Sequence, residues 1–291
     1  MVSDTGERLS KEQVARYSRQ LMLPELGSAG QQRLLESAVL VIGAGGLGSP
    51  AALYLAAAGV GTIGIADSDA VAVSNLHRQI LHTAASVGQP KTASARQRLE
   101  ALNPDITVRA HQMRVNAASA AGLLRGYQVV LDGSDNFTTR YLVNDACVLA
   151  GLPLVHGGVV RLGGQVLSVR PGQSACLRCV FPEPPGAGAV PSCQEAGVLG
   201  SVAGIIGTLM AHEALKLLAG LGELLTDRLL VFDGMRSRFR EVGVRRDPGC
   251  RVCGDDPAIR TLTEERSSWC DSAEVGGSLN AAQEERWHAS R

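Results

Sequence analysis

Gly43, Gly45 and Gly48 stand at G-x-G-x-x-G spacing directly after the apolar run Val39–Ile42, with Gly46 among them. A loop of this kind binds anions. Its glycines allow a tight turn, close approach of backbone to phosphate and close packing of the next helix on the strand, and that helix aims its first amides at the anion. Asp67 ends a second apolar run at the spacing, about 20 residues on, where a carboxylate reaches ribose hydroxyls, and Asp69 follows it. Asn75, Arg78, Gln79 and Lys91 come next. An arginine offers a rigid fork for phosphate oxygens and a lysine a mobile point charge. Hydride transfer does not need those cations. Nucleotidyl transfer does, because charge develops on phosphate and the attacking group must be oriented. Asp132-Gly-Ser-Asp135-Asn136 follows a further apolar run. Its carboxylates are expected at the C-terminal edge of a sheet, beside the ligand crevice. There Asp135 could hold Mg²⁺, which takes one or two carboxylates together with substrate phosphates.

Cysteines supply the second chemistry. Cys176-Leu-Arg-Cys179 and Cys250-Arg-Val-Cys253 are two C-x-x-C knuckles in Pro- and Gly-rich surroundings. Four thiolates close a tetrahedral Zn²⁺ site with no position left for water, so the expected role is structural. The alternative is a pair of metal-free or redox loops. Cys147 lies in an apolar helical pattern and reads as core, and Cys270 falls in a polar tail. Cys193 follows Ser192, which has capping-box spacing to Glu195. That places Cys193 in the first turn of a helix, where the dipole favours a thiolate. It is either a thiol for a transient covalent partner or an ordinary residue at a helix start.

These residues need a scaffold, and the pattern around them supplies one. Candidate strands are Val39–Ile42, Thr62–Ala66, Thr107–Ala110, Val129–Asp132 and Leu154–His156; candidate helices are Pro50–Ala58, Lys91–Leu102, Ala117–Leu124 and Thr138–Ala150. Their alternation predicts an α/β fold with a doubly wound, Rossmann-like sheet. Gln165–Arg170, Leu229–Asp233 and Arg238–Val244 read as strands without helices between all of them, an antiparallel extension. Residues 1–37 look helical, over Lys11–Leu21 and Gln31–Ser37. Phe181–Ser192, rich in Pro and Gly, reads as a mobile loop. The expected division is a helical segment 1–37, a catalytic domain 38–254 with a nucleotide half (about 38–160) and a partner-and-zinc half (about 161–254), and a polar tail 255–291. Val198–Leu218 is the most apolar stretch, but His212, Glu213 and Lys216 interrupt it, which suits a buried or interface helix better than a membrane span. Acids and bases balance at 28 each, so charge gives no support for a nucleic-acid or acidic-membrane partner. The polar start of the chain carries no signal-peptide pattern. With seven cysteines, that points to a reducing compartment and a cytoplasmic location.

The ordered set of motifs resembles the ubiquitin-activating-like adenylyltransferases of the MoeB/ThiF/HesA type, in particular those that act on sulfur carriers such as molybdopterin synthase. It is carried by Arg16-Tyr-Ser-Arg19-Gln20, Gly43-Ala-Gly-Gly-Leu-Gly48, Asp67-Ser-Asp69, Ser74-Asn75-Leu-His-Arg78-Gln79, Val87-Gly-Gln-Pro-Lys91, Asp132-Gly-Ser-Asp135-Asn136, both cysteine knuckles and Cys193-Gln-Glu-Ala-Gly197, over roughly residues 12–256. The resemblance implies that ATP binds at the glycine loop and that the Gly-Gly carboxylate of a small ubiquitin-like sulfur carrier attacks its α-phosphate. The products are an acyl-adenylate and pyrophosphate, and later a thiocarboxylate for molybdopterin, thiamine, tRNA-thiolation or cysteine synthesis. It also implies Asp67 as ribose ligand, Asn75, Arg78 and Lys91 on the phosphates, Asp135 as Mg²⁺ and catalytic carboxylate, Arg19 reaching a neighbouring subunit's ATP, and hence a homodimer. Cys193 matches a thiol that varies in importance across the family. The residues after Cys253 are too few for the rhodanese-like domain some members carry, so the expected sulfur source is a separate persulfide donor. A dehydrogenase would leave Arg78, Lys91 and the paired cysteines without purpose; a zinc-stabilised scaffold that binds a carrier without turnover is the other alternative.

Overall fold

The structure, a computed structural model, describes residues 9–185 and 196–263. Its frame is one sheet of eight strands: β1 (Ala38–Ile42), β2 (Thr62–Ala66), β3 (Thr107–His111), β4 (Val129–Asp132), β5 (Leu154–Val160), β6 (Gly163–Val169), β7 (Arg228–Asp233) and β8 (Arg238–Gly243). The spatial order is β3-β2-β1-β4-β5-β6-β7-β8. Strands β3 to β5 in that order are parallel, and β5-β6-β7-β8 are antiparallel. The order reverses between β1 and β4, which makes their C-terminal ends the crevice where ligands bind in doubly wound sheets.

Helices are α1 (Lys11–Arg16), α2 (Ser18–Leu21), α3 (Gly27–Leu35), α4 (Gly48–Ala58), α5 (Lys91–Leu102), α6 (Ala117–Leu123), α7 (Phe137–Ala150), α8 (Leu177–Val180) and α9 (Gly200–Ala219). Side chains of successive strand residues point to opposite faces, and β1 divides accordingly. Val39 and Val41 enter one core with α4, α5 and α9. Leu40 and Ile42 enter the other, with α6, α7 and the cysteine knuckles. A strand covered on both faces reads as a continuous apolar run, which is why it was legible.

Three expectations shift. Lys11–Leu21 is two helices, not one. They break at Tyr17 (φ −97°, ψ 13°), whose buried ring receives a hydrogen bond on its hydroxyl from Asn103 Nδ2 (2.8 Å). The third N-terminal helix starts at Gly27 rather than at residue 31. β5 runs to Val160 instead of stopping at His156, because β6 pairs with it from Leu154↔Val169 to Val160↔Gly163. The glycines there hid the strand. Helix α9 is long and apolar enough to cross a membrane by length and composition. It packs on α4, β5 and β6, and its buried Glu213 pairs with Lys216 and accepts from Ser168 Oγ (2.8 Å) and Leu225 N (2.6 Å).

Candidate active site

The glycine loop joins β1 to α4. Gly43 has φ +87°, a left-handed conformation that side chains rarely adopt, and a Cβ there would lie 2.9 Å from the Gly133 carbonyl. A Cβ at Gly48 would overlap the Gly43 carbonyl. Gly46 faces the Arg78 side chain, 3.6 Å from its would-be Cβ, and Gly45 faces the Gln79 amide at 3.7 Å. Glycine is therefore a steric demand at Gly43 and Gly48, whereas at Gly45 and Gly46 a side chain would meet its neighbours at 3.3 Å or more. Ala44 is clamped on both sides. Its N–H donates to Asp67 Oδ2 (2.8 Å), and its carbonyl accepts from His82 Nε2 (3.0 Å). A carbonyl only accepts, so Nε2 carries the proton and Nδ1 accepts from Ser94 Oγ (2.9 Å). Burial lowers the His82 pKa, the hydrogen bond to Ala44 offsets part of that, and Lys91 adds to the lowering, which favours the neutral ring. His82 was missed at the sequence level; a lone histidine carries no pattern that announces a carbonyl above it.

Asp67 is the electrostatic centre of the loop. Burial pushes its pKa up, and Lys91 with the amides of Asp69 and Ala44 pull back only part of that. Lys91 opens α5 and is itself buried; its Nζ lies 2.7 Å from Asp69 Oδ2 and 3.8 Å from Asp67 Oδ2. Arg78 donates to Asn75 Oδ1 (2.9 Å) and to the Ser74 carbonyl (3.2 Å). Gln79 is buried, and its Oε1 makes no hydrogen bond. A buried amide oxygen without a donor costs about 1–3 kcal/mol. Beside a glycine cradle, that orphan fits a site shaped for a polar ligand. Gly43, Gly45, Gly46, Gly48, Asp67, Asp69, Asn75, Arg78, Gln79 and Lys91 are thus gathered along the β1–β2 edge.

Asp132, which ends β4, and Asp135 beyond it separate. Asp132 does not face the crevice as expected. It is fully buried, its Oδ1 accepting from the N–H (3.0 Å) and hydroxyl (2.6 Å) of Ser134 and its Oδ2 from His156 Nδ1 (2.9 Å). Burial pushes its pKa up, but the hydrogen bond and charge of His156, with Arg140 and Ser134, more than offset that and leave it below the usual carboxylate range. Asp135 is exposed and borders a cavity of about 600 Å³. The walls come from the β5–β6 glycines, Arg140 and Tyr141 of α7, and Phe181–Glu183. Tyr141 Oη donates to the carbonyls of Phe181 (3.0 Å) and Glu183 (2.7 Å), so this end of the expected mobile loop is tied down. Arg19 is exposed on α2, where its Nη1 meets Met22 Sδ at 3.7 Å. Cys193 and Cys270 lie outside the described residues, and Cys147 is core as expected, its thiol pushed up by burial.

Next to Leu177 and Val180, which line the same cavity, the four knuckle sulfurs converge, all within 4.8 Å of one another. Cys176–Cys179 is 3.9 Å, Cys176–Cys250 3.7 Å and Cys179–Cys253 3.3 Å. A tetrahedron of sulfurs about 2.3 Å from a central zinc has edges of about 3.8 Å, so the donor set and its size fit. Hydrogen bonds within the cluster lower Cys179 and Cys250 and raise Cys176 and Cys253, so the four thiols share their protons as one group. Arg178, between the first two cysteines, is buried and bidentate to Asp145 (2.8 and 2.7 Å), with its guanidinium 4.8 Å from the Tyr141 ring centroid.

Fold and loop together define a nucleotide-binding α/β enzyme whose doubly wound sheet carries an antiparallel, cysteine-anchored extension. The ThiF family model matches residues 17–252, and the chain belongs to that family, as an adenylyltransferase of the MoeB/ThiF type. It is 50% identical over 262 residues to the sulfur carrier protein adenylyltransferase of Thermus thermophilus, covering 88% of this chain and 97% of that one. It is 47% identical over 291 residues to the probable adenylyltransferase/sulfurtransferase MoeZ of Mycobacterium tuberculosis, covering 92% and 74%. Against the adenylyltransferase and sulfurtransferase MOCS3 of Drosophila grimshawi it is 50% identical over 260 residues, covering 89% of this chain and 58% of that one. The fold is shared with E. coli MccB crystallised with MccA-N7isoASN: TM-score 0.75, 23% identity, 82% of this chain and 75% of that one.

Proposed function

We propose that this enzyme adenylates the C-terminal Gly-Gly carboxylate of a small ubiquitin-like sulfur carrier. What carries the reading is the placement, along one sheet edge, of an anion-binding loop flanked by Arg78 and Lys91 and a cavity that opens beside Asp135. Half-identity along nearly the whole length of a sulfur carrier adenylyltransferase supports it.

In this reading ATP lies across the glycine loop, with Asp67 on the ribose. Lys91 leaves Asp69 for the phosphates, and Arg78 and Asn75 turn from each other to the same oxygens. The Gln79 amide oxygen gains the donor it lacks. The carrier's terminus enters the cavity, one carboxylate oxygen attacks the α-phosphorus, and pyrophosphate departs in line. Asp135, and the phosphates themselves, would hold Mg²⁺, which neutralises charge on the phosphate oxygens. Arg19, unused within its own protomer, reaches the ATP of a second copy, so the working unit is a homodimer. The knuckle cysteines hold a structural Zn²⁺, and Cys193 serves a later, covalent step. Sulfur comes from a separate persulfide donor, and free thiols such as Cys147 suit a reducing, cytoplasmic setting. The thiocarboxylate would feed molybdopterin, thiamine, tRNA-thiolation or cysteine synthesis.

Carrier-dependent ATP–pyrophosphate exchange, run with a panel of Gly-Gly-ended carriers, tests the reading. Exchange with at least one carrier is expected. ATP binding without exchange across the panel would leave a carrier-binding scaffold and reject adenylation.

A further inference from the structure

His156 lines the cavity beside Asp135, and the adenylation step above gives its side chain no role. It lies on β5 in register with Asp132 of β4, next to β1 and its glycine loop. Its Nδ1–H is spent on Asp132 Oδ2 at 2.9 Å, and Asp132 is in turn fixed by both donors of Ser134. A buried carboxylate that orients one imidazole nitrogen leaves the other nitrogen's lone pair as the working atom. Here that atom is Nε2. Among the described residues it makes no hydrogen bond, and the residue, 1% exposed to bulk solvent, lines the 600 Å³ cavity. The other ionisable groups around the ring are otherwise placed. Arg140 of α7 donates twice to the Ser134 carbonyl (3.2 and 3.1 Å). Tyr141 donates to the Phe181 and Glu183 carbonyls. Cys147 is sealed beneath Asp132, and Asp135 and Glu183 stand at the cavity's rim.

Adenylation joins a carboxylate to phosphorus and releases pyrophosphate; no proton has to be taken from either reactant. A proton must be taken when a neutral protic nucleophile later opens the mixed anhydride. We propose that His156, oriented by Asp132, accepts the proton of a sulfhydryl nucleophile, R–SH, that attacks the acyl-adenylate in this cavity. The inference rests on the adenylation reading above. The sulfur forms a bond to the acyl carbon, the carbon–oxygen bond to the phosphate breaks, AMP leaves with that electron pair, and the S–H proton passes to His156 Nε2. Carrier–C(=O)–AMP, joined through a phosphate oxygen, and R–SH become carrier–C(=O)–S–R, AMP and a proton, with no change of oxidation state.

The experiment compares two thiols on the carrier adenylate formed by the full-length enzyme at pH 7. An alkyl thiol such as 2-mercaptoethanol, with a pKa of about 9, is about 1% ionised there and needs a base; an aryl thiol with a pKa of about 6 is already thiolate and does not. The rate ratio, alkyl over aryl, is measured in wild type and in His156→Gln by mass spectrometry of the carrier thioester, with pyrophosphate exchange run beside it. The ratio is expected to fall at least about tenfold in the variant, within the range of general-base contributions. A ratio within about twofold of wild type, in a variant that still exchanges pyrophosphate, overturns the proposal. If the variant does not fold, the wild-type solvent isotope effect decides. A value near about 2 with the alkyl thiol and near unity with the aryl thiol supports base catalysis, and equal values overturn it. Absence of exchange in wild type with every carrier rejects adenylation first, and this step with it.

Discussion

Removing metal from the four-cysteine site should cost this protein about 4–5 kcal/mol of stability while sparing the nucleotide chemistry. The figure follows from chain entropy. Cys176 and Cys250 are 74 positions apart. A crosslink closing a loop of that length removes about 15 cal/mol/K from the unfolded chain, or about 4.5 kcal/mol at 25 °C. Each kcal/mol shifts the melting temperature of a domain this size by about 2–4 °C, so a fall of about 9–18 °C is expected. Burial of both Cys176 and Cys250, and the packing of Val252 in the core shared with α7, mean that the released knuckle also loosens the face it caps. The assay is thermal and urea unfolding with and without a strong chelator, metal content measured on the same samples, and pyrophosphate exchange held well below the lower melting point. About one zinc per chain should be lost together with the stability, and exchange should persist. Two results refute the reasoning. One is metal release with a melting shift under about 2 °C, which would mean no crosslink is made. The other is loss of exchange in a protein that is still folded, which would make the site part of the chemistry.

The remaining predictions concern the nucleotide edge and the buttress behind the cavity. Asp67→Asn should raise the KM for ATP at least about tenfold, by loss of a charged hydrogen-bond partner, yet not lower the melting temperature. Burial holds the Asp67 pKa above its unfolded value, so its stabilising contribution is complete below the ordinary carboxylate pKa and is lost as pH rises through the raised one. At neutral pH the ionised form is therefore a liability that Asn removes, and melting temperatures compared at pH 4 and pH 7.5 check the sign. Lys91→Ala and Arg19→Ala should each lose exchange by about a hundredfold or more, and mixing the two should restore part of it. No recovery after subunit mixing would mean that Arg19 does not serve a neighbour's ATP. Arg178→Met should destabilise by about 3–5 kcal/mol, because it strands buried Asp145, and Arg178→Met with Asp145→Leu should recover part of that in urea unfolding; a double variant no better than the single one would mean that the pair is not what holds this knuckle.

Legibility followed local physics. Both-face burial made β1, β2 and β4 continuous apolar runs, and a strand followed by spaced glycines and a later acid is local information. The knuckles were legible because ligand spacing within each is fixed by zinc geometry. What failed to show was whatever depends on distant partners. Gly157 and Gly158 obscured the second half of β5, which is held by pairing with β6 rather than by its own residues. Both Asp132 and Asp135 were expected beside the crevice, yet strand register turns Asp132 into the sheet against His156 and leaves Asp135 at the cavity. His82 and His156 gave no signal at all, because their meaning lies in Ala44 and Asp132, far off in the chain.

The sequence by itself therefore determined the chemistry on offer: an anion-binding loop, cations for phosphate, and four thiols for a metal. Each of these is a matter of residue type within a few positions, where covalent geometry restricts what can form. The tertiary structure alone decided which groups meet. It set Lys91 on Asp69 and left the Gln79 oxygen without a partner. It brought sulfurs 74 positions apart to 3.7 Å and gave His156 a buried carboxylate on one side and a cavity on the other. Those outcomes depend on strand order and register, which arise from burying two apolar faces at once and are written in no single segment of the chain.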